Sequence, residues 1–97
     1  MTTSPTSSLD PSLLWGASDL GTVVRTRRRE QSLRIDDAAA LMGVSVDLLS
    51  RLENGKGSVR LDKLMTVLDG LGLALVVSPK DHPWVQLLPR PADPRKP

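Results

Sequence analysis

The feature that most restricts the fold of this chain is a three-residue interruption, Gly43-Val44-Ser45, between two short stretches of helical pattern. Before it, Asp36 and Asp37 open a helix running to about Met42, and Ala38-Ala39-Ala40 lets another helix come close. Acidic residues favour a helix N-terminus, where the backbone dipole is positive. Gly43 supplies the stop, since glycine accepts the left-handed conformation that ends a helix. After it, Ser45 carries the side-chain oxygen that an N-cap needs. Val46 to Glu53 then repeats Leu48, Leu49 and Leu52 on one apolar face. Asn54-Gly55, with Gly57 just beyond, closes this helix. Two short helices joined through such a glycine turn sit at a steep angle to one another, as in a helix-turn-helix.

The flanking segments complete a small core. Ser18 is the expected N-cap of a first helix, with Asp19 in its first turn, Leu20, Val23 and Val24 at helical spacing, and an end near Gln31. Arg28 falls four residues after Val24, on the apolar stripe. A buried cation there requires an acidic partner, because an unpaired one is very costly. Glu53 falls four residues after Leu49, on the buried side of its own helix, and is a candidate partner. A fourth helix is expected from Leu61 to Leu71, with Leu61, Leu64, Met65, Leu68 and Leu71 on one stripe and Gly70 and Gly72 at its end. Leu73, Ala74, Leu75, Val76 and Val77 follow as a β-strand. A lone strand leaves its backbone groups unpaired, so the same strand of a second copy is the simplest partner, and a two-fold homodimer is expected.

The organisation expected is a flexible arm over residues 1–17, a domain over 18–77 and a tail over 78–97. Asp10 and Pro11 read as a helix start, with one short turn over Ser12 to Trp15. Six of the 20 tail residues are proline, which favours an extended chain. Within it, Trp84, Val85, Leu87 and Leu88 form an apolar cluster. Two readings stand side by side: Trp84, Leu87 and Leu88 contact a partner protein, or the cluster folds back on the domain. Trp15 has the same ambiguity, weighted towards packing on the first helix.

Composition narrows the function. The 97 residues include two aromatics, both Trp, so the core is aliphatic and there is almost nothing on which to stack bases. Cysteine is absent and His82 is the single histidine. Disulfides, a thiolate metal site and a histidine-based triad are therefore not expected, nor is a cofactor or a small-molecule substrate. No glycine-rich phosphate loop follows a strand, and Asp36-Asp37 reads as helix N-terminal charge rather than as a catalytic pair, so the chain is not expected to be an enzyme. No apolar run reaches the roughly 20 residues of a membrane span, and the first eight residues lack the basic and apolar regions of a secretory signal. The cytoplasm is the expected location. Net charge is only +2. Its distribution says more: Arg25, Arg27, Arg28, Arg29 and Arg34 crowd together, either as a solvated helix face or as a surface for phosphate.

The second helix of a helix-turn-helix lies in the DNA major groove, its N-terminal residues at base edges. The start "LGTVVRTRR", the turn "LMGVS" and the segment "SRLENGKGSVRLDKLMTVLDGLGL" with the strand after it resemble the lambda-repressor-like (Cro/XRE-type) helix-turn-helix family, and more narrowly HipB-like antitoxins. The resemblance implies an all-α domain of four to five helices with a C-terminal β-strand that pairs across a homodimer. It implies a structural Arg28–Glu53 ion pair, in agreement with the periodicity. It places Val46, Asp47, Ser50 and Arg51 at base edges, with Arg51 the best match for guanine. Ser45, Asn54 and Lys56 match phosphate positions, to which Arg34, Arg27 and Arg60 are added. The family usually opens its second helix with Thr-Gln, where this chain has Arg34 and Ile35. It also favours polar residues where this chain has Val46 and Asp47. Val46 offers thymine only a methyl contact, and Asp47 can accept only from cytosine while repelling phosphate. The function implied is a dimeric repressor of an inverted-repeat operator, acting as the antitoxin of a HipA-like Ser/Thr kinase toxin. The alternative is a stand-alone phage- or plasmid-type repressor.

Overall fold

The computed structural model describes residue 11 and residues 13–88. Five helices succeed one another: α1 (Ala17–Glu30), α2 (Ile35–Met42), α3 (Val46–Glu53), α4 (Leu61–Gly70) and a short α5 (Pro83–Gln86). α1 begins at Ala17 with Gly16 as its cap, two residues earlier than a Ser18 cap would allow. Asp19 is the cause. Its carboxylate accepts from the N–H groups of Trp15 at 2.7 Å and Gly16 at 3.1 Å, so the cap residue need supply no side chain. Residues 13–15 form no helical turn; Asp10 and Ser12 lie outside the described residues.

α1 packs on α3, and α2 packs on both α3 and α4. The core is wholly aliphatic: Val24 of α1, Ala38 and Ala39 of α2, Leu49 and Leu52 of α3, and Val67 and Leu68 of α4 with Leu71 just after it. α4 is rotated from the expected stripe. Leu64, Val67, Leu68 and Leu71 face inward, while Leu61 is 68% and Met65 46% exposed. Both stripes obey helical spacing and share three members, so the position of α2 decides between them.

Close approach is built on missing side chains. A Cβ on Gly21 would collide with the backbone carbonyls of Leu52 and Glu53, the last turn of α3. A Cβ on Gly70 would lie 2.9 Å from the sulfur of Met42, so glycine there lets the ends of α2 and α4 meet.

Each of the first four helices ends the same way. The backbone turns left-handed at Ser32, Gly43, Gly55 and Gly72. The next N–H then reaches back five residues: Leu33 to Arg28, Val44 to Ala39, Lys56 to Arg51 and Leu73 to Leu68. This pattern satisfies the last helical carbonyls and reverses the chain sharply. Ser32 alone does so with a side chain, at φ 57°.

Residues 73–77 carry no regular secondary structure, and no strand occurs among the described residues. The expected strand differs for a simple reason: a strand is defined by its ladder, and no segment among the described residues pairs with this one. Leu75, Val76 and Val77 are exposed. The tail is also not wholly extended. Pro83 opens α5, and His82 Nδ1 accepts from the Trp84 N–H at 3.1 Å. Val85 is the residue α5 buries, in a groove lined by Leu13, Leu14 and Trp15 of the arm, whereas Trp84 is 44% and Leu87 82% exposed.

In an exposed helix, Gly→Ala stabilises by roughly 1 kcal/mol. Gly21→Ala is expected to act oppositely, costing about 1–3 kcal/mol or more by overpacking, as read by urea unfolding. Ser32→Gly is expected to raise stability by roughly 0.5–1 kcal/mol in the same assay, because it relieves a left-handed serine.

Candidate nucleic-acid interface

The turn between α2 and α3 is rigid on both sides. Gly43 leaves α2 at φ 69°, ψ 31°. Ser45 then caps α3, its Oγ accepting from the Leu48 N–H at 3.0 Å. Its hydroxyl hydrogen stays available to an acceptor outside. Val44 before the cap and Leu49 within α3 both pack into the core, which fixes the angle at which the chain enters the helix. α3 buries Leu49, Leu52 and Glu53 and turns Val46, Asp47, Ser50 and Arg51 outward, with Val46 45% exposed. The four residues expected at base edges thus share one accessible face.

Behind that face lies the ion pair. Arg28 Nε and Nη2 donate to the two carboxylate oxygens of Glu53, at 2.6 and 2.8 Å. Nη1 donates to the Leu33 carbonyl at 2.8 Å. Both residues are buried, and no buried side-chain polar atom among the described residues lacks a partner. The hydrogen bonds that Arg28 donates to Glu53 raise the pKa of Arg28 above the usual arginine value, burial opposes this, and the opposite charge adds to the rise. A raised arginine pKa means that the stabilisation persists at every pH below the unfolded value and fades only as pH climbs through the folded one. The arginine side of the pair is therefore indifferent to pH under ordinary conditions.

Most of the expected phosphate residues are exposed but already engaged. Arg34 caps α2 and pairs with Asp36 at 3.3 Å; Arg60 caps α4 and pairs with Asp62 at 2.9 Å. Arg51 pairs with Asp47 at 3.1 Å. The Asn54 amide donates to the Ser50 carbonyl at 2.8 Å, closing α3. Lys56 is exposed in the loop after α3. The cations around α3 are thus largely matched by nearby carboxylates. The exposed pairs of Arg34 and Arg60 are worth little individually and exchange easily for a phosphate, whereas Arg51 has a second bond, to the Ser58 carbonyl.

A helix-turn-helix domain model matches residues 19–77. The chain belongs to the helix-turn-helix domain family, of the Cro/XRE type. Its relatives are transcriptional regulators, and so is this chain in its class. The uncharacterized HTH-type transcriptional regulator y4mF of Sinorhizobium fredii is 38% identical over 58 residues, 60% of this chain and 76% of that protein. The structure of the clp gene regulator ClgR from C. glutamicum is similar at 29% identity and TM-score 0.56, covering 67% of this chain and 82% of that one. A chain of the HipA-HipB-O2-O3 complex superposes with TM-score 0.65 over 72% of this chain and 99% of its own, at 16% identity. That last likeness is one of fold. No helix among the described residues is long and apolar enough to cross a membrane.

Within this helix-turn-helix framework, Arg27 stands apart from the other basic residues. Its Nε donates to the Leu71 carbonyl at 2.7 Å, Nη1 lies 3.6 Å from Glu30, and its side chain is 14% exposed. Gln31 reaches the same carbonyl at 3.4 Å. Arg27 thus ties α1 to the end of α4. Sequence reasoning missed this, and the available signal was slight: Arg27 is on the α1 side that carries Leu20 and Val23. Asp19, which sets the start of α1, was legible only as helix N-terminal charge.

Glu53→Ala should destabilise the domain by about 3–5 kcal/mol, because it strands a buried guanidinium. The double variant Arg28→Met/Glu53→Leu should recover most of that loss in denaturant unfolding. An unchanged midpoint for Glu53→Ala would refute the role given to the pair.

Proposed function

We propose that this regulator is a repressor that binds an inverted-repeat operator as a homodimer and serves as the antitoxin of a HipA-like Ser/Thr kinase in the cytoplasm. The observation that carries the DNA reading is the α3 face. Val46, Asp47, Ser50 and Arg51 project from a helix capped at its start by Ser45 and anchored at its end by the buried Arg28–Glu53 pair. A face so held can meet base edges in register, with Ser45, Arg34, Asn54, Lys56 and Arg60 at the backbone. Arg27, engaged with Leu71, contributes through the fold.

The dimer reading is supported by the exposed run Leu75, Val76 and Val77, which offers apolar side chains and unpaired backbone to the same segment of a second copy. The two α3 helices would then enter successive major grooves, roughly 34–36 Å apart. The antitoxin reading draws on the fold shared with a chain of the HipA-HipB-O2-O3 complex and on the exposed Trp84 of α5 and Leu87 just after it, with Leu88 beside them, as contacts for the kinase. A stand-alone repressor is the second reading. It is favoured by the higher identity to ClgR, a gene regulator by its description.

Selection from a random duplex pool with the full chain, followed by sedimentation of the complex, tests the DNA reading; an inverted repeat bound by two copies is expected. Arg51→Ala is expected to cost about 1–3 kcal/mol on that operator and to relax selectivity at one base pair. Equal losses on operator and random duplex would make Arg51 a phosphate contact. Co-purification from nuclease-treated native cells separates the two readings: a stoichiometric Ser/Thr kinase supports the antitoxin, and the dimer alone supports the stand-alone repressor.

A further inference from the structure

Asp47 is the residue of the α3 face that fits DNA least well, since a carboxylate repels phosphate and few base edges can donate to it. Its neighbour one turn on explains its presence. Arg51 is clamped at two points: Nε donates to Asp47 Oδ2 at 3.1 Å, and Nη1 donates to the Ser58 carbonyl at 3.0 Å. Ser58 belongs to the connection between α3 and α4, so the clamp spans helix and loop. Gly57 lets the loop turn back towards α3: its backbone takes the left-handed φ of 68° beside the Arg51 side chain. Nη2 makes no hydrogen bond to the described residues and remains for an acceptor from outside.

We propose that Asp47 is a positioning residue that determines DNA specificity through Arg51, without reading a base itself. An unbraced arginine on an exposed helix turns to the nearest phosphate, which carries no sequence information. Held at Nε and Nη1, the guanidinium loses less rotamer freedom when its remaining edge meets a guanine. On a duplex without that guanine, Arg51 gains nothing and the Asp47 carboxylate still faces the polyanion. Asp47 therefore favours the cognate site and disfavours all others. This inference rests on the DNA-binding reading above.

Its signature is a pair of opposite changes. Asp47→Ala should tighten binding to random duplex severalfold by removing a negative charge, while weakening binding to the selected operator. The operator-to-random ratio should fall about tenfold or more. Asp47→Asn keeps an acceptor for Nε without the charge, and should restore most of the operator affinity. In an Arg51→Ala background, Asp47→Ala should leave the ratio unchanged, because the route through Arg51 is already gone. In the free protein, the Arg51 Nε–H resonance should be protected from solvent exchange in the wild type and Asp47→Asn, and unprotected in Asp47→Ala, with all three folded at the temperature of the binding assay.

The decisive measurement is binding of the full-length wild type and these variants to the selected operator and to a random duplex over a range of salt. Equal tightening on both duplexes would reduce Asp47 to a repulsive charge and overturn the proposal. A ratio that still falls in the Arg51→Ala background would make Asp47 a direct reader and overturn it too. Failure of the wild type to select any sequence would remove the DNA-binding reading itself, and this inference with it.

Discussion

The buried pair of Arg28 and Glu53 is the contact on which the rest of the domain turns. Its two parallel hydrogen bonds join the last turn of α1 to the last residue of α3, and the third bond of Arg28 reaches Leu33, just ahead of α2. One guanidinium thus sets the positions of three helices. A hydrophobic contact could supply comparable stability, but it has no direction and would tolerate sliding. The bidentate geometry does not. Gly21 belongs to the same arrangement, because the carboxylate reaches Arg28 only where the α1 backbone lies against the Leu52 and Glu53 carbonyls.

Around this anchor the domain is made of short helices with sharply defined ends. Four consecutive helices close by the same left-handed reversal, and the segments between them stay brief. Helices this short have little stability alone. Their ends are held by caps and their faces by a core with no aromatic residue. The surface of α3 is correspondingly fixed from behind, which is the condition for any reading of base edges.

The cations of the proposed interface are arranged unlike a simple basic patch. Arg34, Arg51 and Arg60 each lie beside a carboxylate close in sequence. A surface of this kind attracts DNA only moderately through charge, so discrimination rests more on fit at α3 than on attraction to the backbone. The same logic explains how a chain of net charge +2 is compatible with the proposed role.

Much of this was legible in the sequence because it follows from local chemistry. The glycine turn, the Ser45 cap and the spacing of Leu48, Leu49 and Leu52 define the helix-turn-helix without reference to anything distant. The Arg28–Glu53 pair was legible for a different reason: a charge on an apolar stripe must find its opposite, and Glu53 lies on the buried side of its own helix. What the tertiary structure alone decided are choices between locally equivalent options. Val67 rather than Met65 is buried, because two rotations of α4 satisfy the same period and only the place of α2 separates them. Val85 rather than Trp84 is the tail's anchor, because the arm supplies the groove. Arg27 reaches the Leu71 carbonyl 44 residues away, and Arg51 finds both Asp47 and the Ser58 carbonyl. Residue type and spacing say that an arginine can reach a partner; which partner it has depends on chain segments that only folding brings within range.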